Sequence, residues 1–520
     1  MKPAASAGRG GTMSQAGAAG SGRLSLVEKL GYGLGDAASN LVFQTIVNFI
    51  AFYYTDVVGL APTLVGTLFL VVRVFDAVLD PVMGAVADRT RSRWGQFRPW
   101  LVWLALPFGA SAVLTFATPN LGEPGTAIYC FVGYTVLMIF YTGVNIPYGA
   151  MAAAMTDDPQ ERTSLQSWRF ALAMVGNMIV SGATLPLIEL FGQGDRARGY
   201  LWTMAVFAVL AVIMLLACFA TTRERAGPGA AQDGKASLAA DLKALWANDQ
   251  WRVLALVNFV LLIAVVMRGT AALYFVRYVL GEPDLSTAYL TLGTLGGVIG
   301  SLFAGNLHGP PRPKELLLIL AVHGGLLAVL GGVGLVPPGL MAPVTGAVAA
   351  GYVLAKLSGA WLDRVRAFGV LMVLQALAQV ALFFTAFASI AVSVSVFVLA
   401  MLLNQVAVPV LWALMADSVD YGQWKTGRRI TGLNFSTVLF ALKMGVAVGG
   451  ALAAWMLGWY GYVANAQQTD RAMHGIAVVF GLGPAAACLG VAAISIGVQL
   501  TLATMRKVRE ALASPEGRPA

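Results

Sequence analysis

Charge is scarce in this chain. Of its 520 residues only 11% are Asp, Glu, Lys or Arg, against about 25% in an ordinary soluble domain. That shortage excludes a solvated surface over most of the length. Histidine and cysteine are scarcer still, three of each. His308, His323 and His474 have no metal-ligand spacing. Cys130, Cys218 and Cys488 lie far apart inside apolar segments and read as packed core thiols rather than a disulfide or metal set. No phosphate-binding Walker loop, HExxH or Gly-x-Ser-x-Gly context is present. A membrane enzyme needs a nucleophile–base pair or metal cluster near one membrane face, and none is visible. A sensor needs a soluble domain, and the longest polar stretch, about 30 residues, is too short for one. Residues 1–22 are rich in Gly, Ala and Ser without an apolar core, so they are expected to be a disordered cytoplasmic tail rather than a signal peptide.

What the chain has is apolar length. It is 58% hydrophobic with a mean hydropathy of +0.74. The apolar runs are continuous and about 20 residues long, which excludes a β-barrel and predicts an all-α integral membrane protein. Runs near 33–55, 63–87, 100–118, 126–154, 167–190 and 200–221 form a first helical bundle within residues 23–221. A charged, Gly-Pro-Gly-containing stretch at 222–250 reads as a cytoplasmic linker, with Leu238, Leu242, Leu245 and Trp246 on one side of a short surface helix. Eight runs follow within 251–505, two more than the first bundle, the extra pair falling between 286 and 362. Residues 506–520 are expected to be a second cytoplasmic tail. If all fourteen runs span, the clusters Arg89/Arg91/Arg93/Arg98, Arg223/Arg225, Arg312/Lys314, Arg364/Arg366, Lys425/Arg428/Arg429 and Arg506/Lys507/Arg509 share one side. A re-entrant run among them would break that alternation. The positive-inside rule then places both termini in the cytoplasm of a multi-pass, bacterial-inner-membrane-type protein. The net charge of +9 sits in these loops, which predicts contact with anionic lipid and not nucleic acid.

Against this background the buried polar residues stand out. Arg73, Asp76 and Asp80 lie inside the second run, spaced by about one helical turn each. Unpaired, three such charges cost about 8–10 kcal/mol on insertion scales, so a chain that keeps them is expected to bind ions or protons there. A carboxylate pair supplies oxygens to a hard cation or shares a proton. The bland alternative is a structural salt bridge from Arg73, which neutralises only one carboxylate. Pro81 frees the carbonyl of Ala77 nearby. Asp36, Asn40, Gln44 and Asn48 recur every four residues in the first run, as a polar seam between helices or a cavity wall. The fourth run carries Tyr141, Thr142, Asn145 and the kinking Pro147. Arg169 opens the fifth run and either snorkels or faces inward; Arg268 and Lys443 lie too deep to snorkel and are expected to pair with acids or contact substrate. Trp412 is either core or an aromatic platform for a sugar ring. The glycines from Gly293 to Gly300 predict close helix packing rather than a nucleotide loop. A weak repeat, Gly84-Ala-Val-Ala-Asp88-Arg89 and Gly359-Ala-Trp-Leu-Asp363-Arg364, ends a run in each half and suggests a duplicated transporter with gating motifs at matching helix ends.

Several longer motifs carry a resemblance. They are Tyr53-Tyr-Thr-Asp-Val-Val-Gly-Leu60, Gly66-Thr-Leu-Phe-Leu70, Asp76-Ala-Val-Leu-Asp80-Pro81, Trp94-Gly-Gln-Phe-Arg-Pro99, Asn145-Ile-Pro-Tyr148, Ala416-Asp-Ser-Val-Asp-Tyr-Gly422 and Lys425-Thr-Gly-Arg-Arg429. Together they resemble the glycoside–pentoside–hexuronide:cation symporter family, the melibiose-permease group of the major facilitator superfamily. The resemblance implies two six-helix halves, here with an extra pair of segments. It implies a cation site of Asp76 and Asp80 with Thr142 and Lys443, and a sugar site between the halves where Asn40, Tyr141, Asn145 and Arg169 match positions that contact glycoside. The melibiose permease has acids where this chain has Asn40 and Asn145, a tryptophan at Gly149 and an asparagine at Leu79. The first three departures count against a galactoside. The loss at Leu79 removes a sodium ligand, which leaves H⁺ as open as Na⁺.

The expectation is a monomeric secondary transporter without cofactor that couples H⁺ or Na⁺ to uptake of a sugar or glycoside by alternating access. A second reading within the same class is an anionic or amphipathic substrate, such as an acidic sugar or lysolipid, met by Arg169, Arg268 and Lys443.

Overall fold

The computed structural model describes residues 24–513 except 118, 120, 157–158, 226–237, 305–306, 308–309, 386–388 and 429. The expected tail at 1–22, the last part of the one expected at 506–520 and the middle of the linker lie outside the described residues; residues 506–513 are helical instead of a tail. Among the described residues the secondary structure is helical, apart from one isolated bridge between Ser92 and Gly95. The first half comprises α1 (Leu26–Thr45), extended by π turns at Ile46–Ile50 and Tyr53–Val57, then α2 (Pro62–Arg89), α3 (Arg98–Thr115), α4 (Gly122–Met155), α5 (Pro159–Gly192) and α6 (Arg196–Thr221). The short α7 (Leu238–Ala247) precedes the second half, and its exposed Leu242 and Trp246 fit the expected surface helix. The second half comprises α8 (Asp249–Tyr274) with a π turn at Phe275–Val279, α9 (Ser286–Phe303), α10 (Pro313–Gly332), α11 (Pro338–Trp361), α12 (Arg364–Thr385), α13 (Ile390–Thr426) and α14 (Thr431–Trp459). Its last long helix is α15 (Asp470–Ala477), a π turn at Val478–Leu482 and α16 (Gly483–Ser495); α17 (Leu502–Ala513) closes the described chain.

Among the described residues, twelve helices are long and apolar enough to cross a membrane. The first and third fall outside that count: α1 carries the polar seam, and α3 holds Arg98, Pro99 and Pro107 among its 18 residues, so each is less apolar than the others. Both pack into the same bundle, α1 on α5 and α6, α3 on α4 and α6. The extra pair between 286 and 362 is two full-length helices, α10 and α11. α10 buries only the stripe Ile319, His323 and Leu327 against its neighbours and exposes Leu317, Leu318, Val329 and Val333. An apolar outer face of that kind suits hydrocarbon. One end of the pair is tied by Lys356 Nζ, 2.8 Å from Glu315, with Tyr352 donating to the same carboxylate.

Both described termini lie at one end of the bundle, here called the terminal end. Its loops are organised by charge. Glu224, just past α6, accepts from the backbone N–H groups of Gln96, Phe97 and Arg98 at 2.8 Å each, an anion at the N-terminus of α3. Gly95 is required there. Its φ is +112°, and a Cβ would lie 2.5–2.7 Å from the Glu224 carboxylate. Ion pairs at this end join helices of one half: Arg225–Glu28 and Lys29–Glu161 in the first, Lys425–Asp249 and Arg428–Asp241 in the second. The halves meet where α2 packs on α14, α5 on α9 and the first π turn on α8.

The glycine run of α9 does what its spacing predicts. A Cβ on Gly296 would lie 2.8 Å from the carbonyl of Val398, and one on Gly300 2.5 Å from that of Leu402. Gly300→Val should therefore lower stability by about 1–3 kcal/mol through overpacking. Gly324→Ala on α10, where an added methyl meets open space, should be neutral or better; thermal unfolding of the purified variants checks both.

Candidate functional site

The stripe on α2 is where the halves are electrostatically joined. Asp76 is fully buried, and Asp80, one turn on, is partly open. From α4, Thr142 Oγ donates to Asp76 Oδ1 at 2.5 Å and lies 3.3 Å from Asp80 Oδ1. From α14, in the other half, Lys443 Nζ sits 2.6 Å from Asp80 Oδ1 and 3.2 Å from Asp76 Oδ2. Gly445 and Gly449 turn one face of α14 against the backbone of α8, which leaves Lys443 on the face toward α2. These four residues are the ones the resemblance groups as a cation site. The structure corrects the alternative in which Arg73 bridges the aspartates. Its guanidinium lies over the rings of Phe43, 5.1 Å from the centroid, and Tyr134, at 5.6 Å. Two carboxylates and one ammonium leave the cluster one negative charge, the deficit that a proton or a single monovalent cation cancels. Pro81 does not break α2, which runs on to Arg89.

A second polar group occupies the first half. Arg169 on α5 pairs with Asp36 on α1, Nε to Oδ2 at 3.2 Å and Nη2 to Oδ1 at 3.4 Å, and lies 5.4 Å from the centre of the Tyr148 ring. It therefore faces inward rather than snorkelling. Tyr148 in turn stacks on Tyr32 at 4.6 Å. Asn40 donates to the backbone carbonyl of Asp36 and accepts from Gln44, whereas Asn145 donates to the carbonyl of Tyr141 and keeps its oxygen for another partner. Gln44 reaches Asn40 at 3.5 Å, and Tyr141 stacks on Phe43 at 5.4 Å. The same Phe43 ring carries Arg73 on its other contact, which links this group to the cation cluster. Polar side chains beside stacked aromatic rings are suited to a sugar's hydroxyls and apolar faces.

Other expected residues stand apart. Arg268 does not join the first-half group. The neighbouring Gly269 faces Val47 and Asn48 of the π turn that extends α1, which turns Arg268 into the second bundle, where it is buried. Trp412 is half-buried against the core, with no ring partner among the described residues. The repeated Asp-Arg motifs differ. Arg364 pairs with Asp417 of α13, which also meets Arg509 of α17 at 3.2 Å, whereas Asp363 Oδ1 has no partner. Arg89 is exposed, and the side chain of Asp88 lies outside the described positions. His323 and the three cysteines are buried, and no metal-holding group of His, Cys, Asp and Glu occurs among the described residues.

One feature escaped sequence reasoning. At the far end, the buried Asp56 carboxylate of the first half accepts from Tyr278 of the second and from Tyr462 at 2.7 Å. Asn465 donates to the Asp56 carbonyl, and Thr55 meets Tyr274 at 2.7 Å. Burial, with the Asp56 charge beside it, pushes the Tyr462 phenol far up, so it remains a donor. The only sequence signal was the position of Asp56 at the end of the first apolar run, inside a motif read for its resemblance alone.

The sequence matches the family described as MFS/sugar transport protein over residues 31–355 and 329–501. The chain belongs to that family. The two matched stretches meet within α10 and α11, where the extra pair lies. The chain is 39% identical over 498 residues to the inner membrane symporter YicJ of Escherichia coli K12, covering 95% of this chain and 96% of that protein. It is 38% identical over 467 residues to the putative glycoside/cation symporter YagG of the same organism, covering 89% of each. A solved structure of a proton-dependent oligopeptide transporter shares the fold, with a TM-score of 0.60 at 12% identity over 93% of this chain and 99% of that one. Membership makes the chain a multi-pass membrane transporter rather than an enzyme.

The far-end cluster should be a seal between the halves. In Asp56→Ala with Tyr462→Phe, a cysteine placed at Gln44 should become several-fold more reactive to a membrane-impermeant thiol reagent added from the far side. Unchanged labelling would contradict the seal.

Proposed function

We propose that this protein is a secondary transporter that symports a sugar or glycoside with a monovalent cation by alternating access. The observation that carries the reading is the Asp76–Asp80–Thr142–Lys443 cluster, because it spans both halves and is one positive charge short of neutral. The name of the relative YagG, a putative glycoside/cation symporter, supports the substrate class and the coupling. The substrate is taken by the adjoining group of Asn40, Gln44, Tyr141, Asn145 and Arg169. Arg169 is held in place by Asp36, so it offers donors to hydroxyls without presenting a free positive charge. That pairing favours a neutral sugar over an anionic one. Trp412 closes the site from the second half only if α13 moves toward α4.

The terminal end, with its basic clusters, faces the cytoplasm by the positive-inside rule. The far end is fastened by Asp56, Tyr278 and Tyr462, while Asp80, Lys443 and Arg169 keep part of their side chains exposed. The fastened far end favours reading this as an inward-facing state. A cation entering from outside neutralises the carboxylate pair, sugar binds beside it, and the now neutral site is enclosed at low cost as the halves rock. Without the cation, an enclosed negative cluster would be prohibitively expensive. Proton coupling is favoured over sodium, since Lys443 already fills the space between the carboxylates and Leu79 offers no oxygen.

Asp80→Asn should fold normally and keep sugar exchange down a gradient, yet lose accumulation driven by an imposed pH or sodium gradient in proteoliposomes. Full accumulation would overturn the coupling assignment. Arg169→Met should raise the KM for the transported sugar at least tenfold, losing a charge-assisted hydrogen bond; an unchanged KM would remove Arg169 from the substrate site. A screen of neutral and acidic sugars under each gradient identifies both substrate and ion.

A further inference from the structure

The transport reading leaves one buried charge without work. Arg268 lies deep in α8, is 3% exposed, and its Nη1 meets no hydrogen-bond partner. Among the described residues no carboxylate pairs with it. The titratable side chains that interact with it are Cys488 and Tyr289, both uncharged at neutral pH. The other deep cations are accounted for: Lys443 by two aspartates, Arg169 by Asp36, Arg73 by two aromatic faces. A guanidinium cannot shed its proton, so it needs an anion from elsewhere.

Two amides share its surroundings. Ala264 of α8, Ala376 of α12 and Cys488 of α16 touch in one small cluster. Helices α8 and α12 both run from the terminal end to the far end. Arg268 stands one turn beyond Ala264, and Gln379 nearly one turn beyond Ala376, while Gln375 is the residue before it. Long side chains on a helix lean back toward its N-terminus, which returns Arg268 and Gln379 to the level of the cluster and leaves Gln375 just short of it, against Asn404 of α13. Gln375 and Gln379 are completely buried. The Gln375 oxygen is taken by Asn404 at 3.5 Å, but its Nε2 has no partner, and Gln379 has none for either amide atom. Three unmet N–H donors, one of them charged, therefore lie within about one helical turn of that cluster inside the second bundle.

We propose that Arg268, Gln375 and Gln379 form a binding site for a small monovalent inorganic anion of the chloride class. A metal cation is excluded by the guanidinium. Water satisfies the donors but leaves the charge uncancelled. A sugar-sized anion is excluded by the burial of all three side chains. The anion is a resident of the second bundle and is not the transported solute, so the proposal stands or falls separately from the transport reading.

The test is thermal unfolding of the purified protein in lipid nanodiscs, titrated with sodium chloride, sodium bromide or sodium gluconate at constant sodium and ionic strength. Chloride and bromide should raise the Tm of the wild type by a few degrees to a plateau, as binding to the folded state alone requires, and gluconate should not. Arg268→Met should unfold at the same temperature in all three salts. Should that variant fail to fold, Gln379→Leu keeps the guanidinium and should raise the half-saturating chloride concentration at least tenfold. Bromide should also give an anomalous-scattering peak within hydrogen-bond distance of Arg268. Superimposable wild-type curves in chloride and gluconate, a chloride shift retained in Arg268→Met, or bromide density absent from Arg268 would each overturn the site.

Discussion

A charge in hydrocarbon must meet its opposite, and in this protein that requirement holds the two halves in register. Lys443 on α14 reaches across to Asp76 and Asp80 on α2. Within its own half the aspartate pair meets the Thr142 hydroxyl, and its paired cation comes from the other half. Removing one member of a buried pair strands the other, at a cost of about 3–5 kcal/mol. On the proposed transport cycle the contact would serve as both a hinge point and a charge sensor. It lies between the fastened far end and the terminal end, where the described ion pairs stay within one half. A rocking motion about this level changes both ends while leaving the cluster intact.

The two halves share a helical plan but differ in chemistry. The first gathers its polar groups toward the interface: the seam on α1, Thr142 and Asn145 on α4, Arg169 on α5. The second turns several of its polar groups inward, with Gln375, Gln379 and Asn404 buried in its own bundle. Its contribution across the interface is narrower, Lys443 at mid-depth and hydroxyl donors from Tyr278 and Tyr462 at the far end. The added pair α10 and α11 sits beside α13 and α9, away from the first half. It widens the second bundle without narrowing the path between the halves.

Much of this was legible from residue spacing. Asp76 and Asp80 share a helical face because they are four apart, and the glycines of α9 predict backbone contact because a small residue every four lets helices close up. The extra pair followed from run length and from the side on which each basic cluster falls. What spacing could not supply was direction. Arg73 is on the aspartate stripe, yet a guanidinium can satisfy itself on aromatic faces, and the choice between ring and carboxylate is made by Phe43 and Tyr134, distant in sequence. Arg268 was placed at the right depth but on the wrong side, since one residue's shift turns a helical side chain by about 100° and Gly269, not Arg268, faces the π turn that extends α1. The Asp56 cluster joins residues more than 200 apart, Asp56 with Tyr278 and Tyr462. No local pattern encodes such a meeting.

The seal and the cation cluster oppose each other in a way that bears on coupling. Asp56 is buried when the far end is shut, and its stabilisation there comes from neutral hydroxyls rather than a cation. Hydroxyl donors offset much of the desolvation of a carboxylate but not all of it, so exposure to water is never far uphill. Opening the far end releases that charge to solvent; closing the terminal end instead encloses Asp76, Asp80 and Lys443 with one negative charge left over. Both events are thus electrostatic, and they act on opposite ends of the molecule. On the proposed reading a bound cation acts on only one side of that balance, because it would touch the α2 cluster and not Asp56. It is that asymmetry, rather than the strength of either cluster alone, that lets cation binding bias which end opens.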